Sequence, residues 1–207
     1  MNDEISSSSP TSTKSAFSIC VYCGSRSGND PKFSALAQQV GAWIGAHGGQ
    51  LVYGGGRNGL MGIVADATLR AGGRVIGVIP KALVEKEWAH TECTELHIVE
   101  TMHDRKRIMA ELADAFLAMP GGIGTLEEFF EVWTWRQLGY HHKPIGLLNI
   151  DGYYASLLEF LNSAVKTGFM HEGLMDLISV GYEAEALLID LVQTAGIAPL
   201  ATRLDKI

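Results

Sequence analysis

The chain has 207 residues, of which 47% are hydrophobic and 19% are charged, a balance typical of one globular domain and not of a disordered or fibrous protein. The net charge of −7 comes without a basic run, which disfavours a nucleic-acid partner, and no apolar run approaches the roughly 20 residues that cross a membrane. Glycine is unusually frequent, with 24 residues, which indicates many places where the backbone turns tightly or approaches another group closely.

The N-terminal residues are rich in serine and lack the apolar stretch of an export signal, so we predict a disordered tail over 1–15 and one folded domain over 16–207. From Phe17 onward, short apolar runs alternate with longer helical patterns. Strands are predicted at Phe17–Tyr22, Gln50–Tyr53, Arg74–Ile79, Glu95–Val99, Ala115–Met119, Pro144–Leu148 and Leu177–Val180. Helices are predicted at Pro31–His47, Leu60–Ala71, Met102–Ala113, Thr125–Gly139, Tyr153–Thr167 and Ala184–Thr194. This alternation is typical of a doubly wound, Rossmann-like α/β fold with a mostly parallel sheet and helices on both faces.

Cysteine and histidine give little indication of a metal site. Cys20 and Cys23 have the spacing of half a zinc site, but no second pair completes four ligands, and two side chains three apart on a strand face opposite sides. With Cys93 the chain has three cysteines, too few for a disulfide framework and consistent with a reducing cytoplasm. Adjacent histidines rarely bind one ion, so His141 and His142 are interpreted as a solvated loop. We therefore predict buried structural cysteines and no metal site.

Four loops of the predicted fold follow strands, and the carboxyl ends of parallel strands lie at one edge of a sheet, where ligands bind. The loops cover residues 23–28, 54–59, 100–106 and 120–125. The second and the fourth are rich in glycine and lead from a strand into a helix, so their N–H groups and the helix dipole can hold a phosphate. The loops therefore predict one phosphate-binding site.

Charged residues stand beside this predicted site. Arg105 and Lys106 open a helix, where the positive end of the dipole opposes cations, so they indicate an anionic partner. Glu128 is placed in the first turn of the next helix, where it could also merely stabilise the helix end, as could Glu127 and Glu131. A carboxylate and a guanidinium facing each other over a bound phosphate are the groups needed to split a glycosidic bond through an oxocarbenium-like transition state.

Two other functions remain open from the residues alone. Gly54, Gly56 and Gly59 formally match a dinucleotide-binding fingerprint, but they follow the second strand, and the third strand ends at Ile79-Pro80 without the acid that binds ribose. An NAD-dependent oxidoreductase is therefore disfavoured. A module that binds a nucleotide without turnover would need no pair such as Arg105 and Glu128.

The helix predicted over Thr125–Gly139 carries apolar residues around most of its circumference: Phe129, Phe130, Val132, Trp133 and Trp135. One sheet face covers only part of such a surface. The pattern therefore predicts a homodimer, with the remaining surface buried in a two-fold interface beside Glu128.

Three ordered motifs resemble those of the LOG ("lonely guy") family. They are PGGIGTLEE at 120–128, GGGRNGLMG at 54–62 and MHDRK at 102–106, within a similarity that runs from about Phe17 to Leu158. The resemblance implies an enzyme that cleaves the N-glycosidic bond of AMP or N6-substituted AMP, releasing the base and ribose 5-phosphate, and the cysteine count predicts a cytoplasmic location. The resemblance also implies no cofactor and a homodimer or larger assembly. Some relatives bear the label lysine decarboxylase, but no residue here indicates a lysine for pyridoxal phosphate.

Carried over by position, the resemblance implies that Arg105 and Glu128 are catalytic. Together, the loops and the resemblance give these expected substrate-binding residues: Gly24, Ser25, Gly54, Gly55, Gly56, Glu87, Lys106, Gly121, Gly122, Ile123, Gly124, Thr125, Glu127 and Thr134. Glu87 and Thr134 rest on the resemblance alone. Arg26 departs from the pattern, in which a small residue is common, and this puts the fine substrate preference in doubt.

Overall fold

The computed structural model describes residues 15–84 and 89–197, so the tail predicted over 1–15 lies outside the described residues except for Ser15. Within these ranges the strands are β1 Ser18–Tyr22, β2 Gln50–Tyr53, β3 Arg74–Pro80, β4 Glu95–Val99, β5 Ala115–Ala118, β6 Ile145–Leu148 and β7 Ser179–Gly181. The α-helices are α1 Pro31–Ala46, α2 Gly59–Arg70, α3 Lys81–Val84, α4 Met102–Leu112, α5 Ile123–Gln137, α6 Ala155–Lys166 and α7 Ala184–Thr194. Short 3-10 helices cover Ile150–Gly152 and Glu172–Leu177.

The described strands form one sheet in the order β4-β3-β2-β1-β5-β6-β7, and every neighbouring pair is parallel. The chain adds strands outward from β1 to β4 and then returns to place β5 on the other side of β1. The topological switch point therefore lies between β1 and β5, where a crevice opens beyond the carboxyl ends of the strands. The predicted doubly wound α/β fold is confirmed.

Helices cover both faces of the sheet because the central strands are apolar on both sides. In β1, Ile19 and Val21 face one core with α1, α2 and α7, whereas Cys20 and Tyr22 face the other core with α4, α5 and α6. Cys23 continues the alternation and lies in the first core. The expected opposite orientation of Cys20 and Cys23 is confirmed, and both are buried free thiols.

The predicted elements agree with the structure to within about two residues at most ends, and the main differences are short helices. Helix α3 and the two 3-10 helices were not predicted, because each is too short to give a periodic pattern. Helix α5 begins at Ile123, two residues before the predicted start, with Gly122 as its N-cap. Among the helices of the described ranges, none is long and apolar enough to cross a bilayer.

Much of the apolar surface of α5 that one sheet face was expected to leave uncovered is buried within the chain itself. Phe129, Val132 and Trp133 are all buried inside one chain, and only Phe130 and Trp135 are half-buried. The Glu172–Leu177 segment packs on the outside of the helix, where Trp133 Nε1 donates to Leu174 O at 3.1 Å. This cover comes from a distant part of the chain, so the pattern within α5 gave no sign of it.

Candidate active site

A cavity of about 760 Å³ opens at the switch point, between the loops that follow β1 and β5. This volume lies within the usual range for small-molecule sites. The described residues that line it are Cys23 to Asn29, Phe33, Leu60, Met61, Leu83, Met102, Arg105, Pro120 to Thr125, Glu127, Glu128 and Tyr153. Residues of the loops after β1, β4 and β5 thus line one cavity, whereas no residue of the 54–59 loop is among the described lining residues.

Glycines allow the walls of the cavity to approach closely. Gly24 N donates to Pro120 O at 3.1 Å, and Leu60 N donates to Gly24 O at 3.0 Å, so the β1 loop is tied to the β5 loop and to the start of α2. Gly59 has a φ of +59°, and a Cβ there would lie 2.4 Å from the backbone of the β1 loop. Only glycine combines this conformation with this approach.

The N-terminus of α5 forms one wall and is suited to an anion. Leu126 N is bonded back to Gly122 O at 3.1 Å, and the N–H groups of the preceding first-turn residues are those that a helix leaves for a ligand. These residues, Ile123, Gly124 and Thr125, all line the cavity. Tyr153 Oη donates to Gly121 O at 2.8 Å and thereby holds the loop in place.

The guanidinium of Arg105 is held at the cavity wall by fixed hydrogen bonds. Arg105 is 7% exposed, its Nε donates to Val78 O at 3.1 Å and its Nη2 donates to Gly54 O at 3.2 Å. Nη1 also lies 3.4 Å from Met102 Sδ. Because backbone carbonyls fix two sides of the planar group, its position is set by the fold and does not depend on a bound ligand.

Glu128 faces this arginine across the cavity wall. Its Oε1 lies 3.9 Å from Arg105 Nη2, which is an ion pair at longer range than a hydrogen bond. Since α5 starts at Ile123, Glu128 lies in the second turn, and its prediction in the first turn is wrong. The dipole effect falls off within the first turn, so a role in the cavity explains the position of this carboxylate better than stabilisation of the helix end does.

The pKa of the Cys23 thiol is raised, first by burial and second by the charge of Glu128.

Lys106 takes its anionic partners from the chain itself. Its Nζ lies 2.6 Å from Glu127 Oε1 and 2.8 Å from Glu131 Oε1. Burial acts to lower the pKa of Lys106, but the two carboxylates outweigh it and the net shift is upward. Lys106 is not among the described lining residues, so it connects α4 to α5 behind the cavity.

The structure brings together ten of the residues predicted for the site. Those that line the cavity are Gly24, Ser25, Arg105, Gly121, Gly122, Ile123, Gly124, Thr125, Glu127 and Glu128. Those that lie elsewhere are Gly54, Gly55, Gly56, Lys106 and Thr134. Glu87 lies outside the described residues. Thr134 is exposed on α5, and the 54–56 loop packs behind Arg105 because Gly54 O accepts from its guanidinium.

Sequence reasoning missed an aromatic pair at the cavity. Phe33 of α1 and Tyr153, from the segment after β6, meet edge to face with their ring centroids 5.6 Å apart. Both line the cavity, and such rings offer apolar surface for a planar ligand. The signal that could have found Tyr153 is topological, since β6 ends at the same edge of the sheet as the strands that precede the four predicted loops.

Comparisons with known proteins give consistent matches. Residues 61–191 match the family model described as "Possible lysine decarboxylase". The chain is 53% identical over 159 residues to the cytokinin riboside 5′-monophosphate phosphoribohydrolase LOG7 of Arabidopsis thaliana, covering 76% of this chain and 73% of that protein. It is 51% identical over 154 residues to the cytokinin riboside 5′-monophosphate phosphoribohydrolase of Rhodococcoides fascians, covering 74% and 78%.

Among solved structures, the molybdenum cofactor binding protein of Rippkaea orientalis is similar with a TM-score of 0.64 at 22% identity, covering 88% of this chain and 98% of that one. At this identity the similarity shows a common fold alone.

Proposed function

The chain belongs to the LOG family of cytokinin riboside 5′-monophosphate phosphoribohydrolases, and on this premise we propose that it hydrolyses the N-glycosidic bond of AMP or an N6-substituted AMP. The observation that carries the proposal is the pairing of Arg105 with Glu128 at 3.9 Å in the same cavity as the N-terminus of α5. A charged pair beside an anion site is what this reaction requires.

The 5′-phosphate of the substrate binds at the N-terminus of α5, where the N–H groups of the first turn and the helix dipole stabilise negative charge. The glycines at 121, 122 and 124 line this part of the cavity, and a Cβ added at Gly122 or Gly124 would meet no atom within 4 Å. The loop is therefore open on this side. Binding energy from the phosphate holds the ribose in place for the reaction at C1′.

In the reaction, the bond between C1′ and the base nitrogen breaks and positive charge develops on the ribose. Glu128 stabilises this oxocarbenium-like charge and accepts a proton from the attacking water, whose oxygen bonds to C1′. The base leaves with the electron pair of the broken bond and takes up a proton, which gives free base and ribose 5-phosphate. Arg105 orients the carboxylate and contacts the ribose or the phosphate.

The name of the matched family model implies pyridoxal phosphate, which the cavity does not fit. That cofactor forms a Schiff base with a lysine, and none of the described lining residues is a lysine. The buried Lys106 is already bonded to Glu127 and Glu131.

The deciding experiment is Glu128→Gln, with release of adenine from AMP measured by chromatography and AMP binding by calorimetry. The amide keeps the shape but removes the charge, so we expect kcat to fall by about 10²-fold or more while AMP still binds. Glu111→Gln is the matched control, because the exposed carboxylate of Glu111 pairs with Arg107 and Glu111 is not among the described lining residues of the cavity. Wild-type kcat in Glu128→Gln would show that the mechanism is wrong, and a wild type that binds AMP without releasing adenine would identify a binding module.

Adenosine tests the phosphate subsite separately. Without the 5′-phosphate, the N-terminus of α5 has no anion to bind, so we expect kcat/KM for adenosine to be lower than for AMP by a factor of at least about 10². Equal kcat/KM for the two substrates would contradict the proposed subsite.

Assembly and location complete the proposal. Three free cysteines support a cytoplasmic location. A homodimer or larger homo-oligomer is supported by apolar side chains that are exposed on α5 and just after it, namely Ile123, Leu138 and Tyr140. Light scattering of wild type and Leu138→Glu is the test, because Leu138 is exposed and a charge there should weaken association without disturbing the core. A wild type that is monomeric and fully active at micromolar concentration would refute the assembly.

A further inference from the structure

A second cluster of reactive side chains lies outside the cavity. Asp66 of α2 and two residues of the segment before β4, His90 and Glu92, each turn one ligand atom toward a common point, with all three atoms within 4.8 Å of one another. Nε2 of His90 lies 3.2 Å from Asp66 Oδ1 and 4.0 Å from Glu92 Oε2. None of the three is among the described lining residues of the cavity.

His90 makes this cluster unusual. Its side chain is fully buried, with 0% exposure, yet its Nε2 has no hydrogen-bond partner. Asp66 Oδ1 is near enough for a hydrogen bond but does not meet its geometry. A buried polar atom without a partner costs about 1–3 kcal/mol, and native structures rarely contain one without a reason.

The distance between His90 Nε2 and Asp66 Oδ1 fits two ligands of one metal ion. Two donors that bind one ion at about 2.1 Å each, at tetrahedral or octahedral angles, lie roughly 3.0–3.4 Å apart. The 3.2 Å between His90 Nε2 and Asp66 Oδ1 lies in that interval, although the two atoms do not form a hydrogen bond. Glu92 is 62% exposed, and its Oε1 forms a surface ion pair with Arg57 at 3.3 Å. Such a pair contributes about 0–1 kcal/mol, so it does not prevent the side chain from moving the remaining distance.

The other ring nitrogen has the support that a metal-binding histidine requires. His90 Nδ1 lies 2.9 Å from Tyr53 Oη, and Tyr53 Oη lies 3.3 Å from Cys93 Sγ. When Nδ1–H donates to the tyrosine oxygen, Nε2 is left with a lone pair and lies 3.2 Å and 4.0 Å from the two carboxylates. Histidine ligands of metals are usually oriented by such a partner.

We propose that Asp66, His90 and Glu92 bind one divalent transition-metal ion, with Zn²⁺ as the best-suited ion. One imidazole and two carboxylates give a mixed nitrogen and oxygen set, which favours Zn²⁺ and its neighbours over Mg²⁺ or Ca²⁺, which prefer oxygen alone. The exposed Glu92 opens the site to solvent on one side, and the buried His90 closes it on the other.

The position of the site indicates a structural role. His90 N donates to Gly55 O at 2.9 Å, and Ala89 forms an isolated bridge with Gly56. The segment that supplies two ligands is therefore docked on the 54–56 loop, whose Gly54 O holds Arg105. An ion joining this segment to α2 stabilises the loop behind the arginine and takes no part in the reaction.

Calorimetric titration of the full chain with ZnCl₂, after treatment with a chelator, tests the site. We expect about one Zn²⁺ per chain and a Tm higher by about 5–10 °C at a hundredfold excess of Zn²⁺ over its Kd. Asp66→Asn and Glu92→Gln should each weaken Zn²⁺ binding by about tenfold or more, since removing a ligand costs at least as much as disturbing its support. Co²⁺ in place of Zn²⁺ should give a visible absorption spectrum that the two variants change.

Glu95→Gln is the matched control, because Glu95 forms an exposed pair with His97 at 3.5 Å and no third ligand of the described chain joins them. Zn²⁺ affinity in this variant should equal that of wild type. The proposal is overturned if wild type does not bind Zn²⁺, or if binding survives both Asp66→Asn and Glu92→Gln. It is likewise overturned if Glu95→Gln weakens binding as much as they do. Because Glu92 is exposed, Glu92→Gln remains a fair test even if Asp66→Asn destabilises the fold.

Discussion

Gly54→Ala isolates the contribution of the Arg105 position to activity. A Cβ at Gly54 would lie 1.9 Å from Arg105 Nη2, and the next nearest atoms belong to the same guanidinium. The backbone at Gly54 does not have a positive φ, so alanine causes no backbone strain there. The substitution therefore acts on one side chain and leaves the rest of the loop in place.

The size of the effect follows from these distances. To restore an ordinary contact of about 3.4 Å, the guanidinium must move by about 1.5 Å, which also breaks the hydrogen bond from Nη2 to Gly54 O. A displacement of about 1 Å in a catalytic group can cost about 10²-fold, or about 2.7 kcal/mol of transition-state stabilisation. We therefore expect kcat/KM for adenine release from AMP to fall by about 10²-fold, with a normal circular dichroism spectrum.

Gly173→Ala is the control for adding a methyl group at a glycine. Its nearest contact would be 3.5 Å, to His171, and Gly173 does not line the cavity. Activity there should match wild type. If Gly54→Ala also keeps activity within about twofold of wild type while remaining folded, the fixed position of Arg105 is irrelevant to the reaction and its catalytic role is refuted.

Two further predictions concern stability. Burial lowers the pKa of His141, whose Nε2 donates to Val132 O. Near this pKa the unfolded chain therefore binds more protons than the folded chain does. The stabilisation is fully present above the unfolded pKa of about 6.5 and is lost as the pH falls below that value. Urea unfolding between pH 7.5 and 5.5 should show a steeper loss for wild type than for His141→Gln, and equal slopes would contradict this. Lys106→Met should lower Tm by several degrees, because Glu131 loses its partner, but it should reduce kcat far less than Gly54→Ala does.

The sequence could predict the fold because its signals are local. Proline at a helix start, glycines after strands and apolar runs of the right length each depend on neighbouring residues, and their alternation has few solutions other than a doubly wound sheet. The shared position of the strand-end loops follows from parallel pairing alone. This is why the sequence alone could predict that Gly24, Gly121, Gly122 and Gly124 share one cavity.

Partners that are distant in the chain could not be predicted in this way. The sequence indicates an anionic ligand for Lys106, whereas its carboxylate partners belong to α5. The sequence predicts a solvated loop at His141, but this residue is half-buried against Phe116, with ring centroids 5.2 Å apart. Asp66 and His90 meet only because α2 and the segment before β4 pack together, and no short motif marks that contact.

The glycine-rich loops after β2 and after β5 are similar in sequence but have different roles in the structure. Glycines of the loop after β5 leave a helix N-terminus open to an anion, whereas Gly54, in the loop after β2, leaves room for a side chain and supplies the carbonyl that fixes Arg105. That the second loop also contacts the substrate stays a prediction.

This division of roles bears on the choice between an enzyme and a binding module. A module that only held a nucleotide would gain little from a buried arginine, since taking a guanidinium out of water is costly unless its interactions are good. Here Arg105 is held by two backbone carbonyls and set 3.9 Å from Glu128, in a cavity that also offers an anion site. Two opposite charges that are fixed in place and can both contact a ligand are suited to a transition state in which charge develops. The arrangement therefore favours an enzyme over a module that only binds a nucleotide.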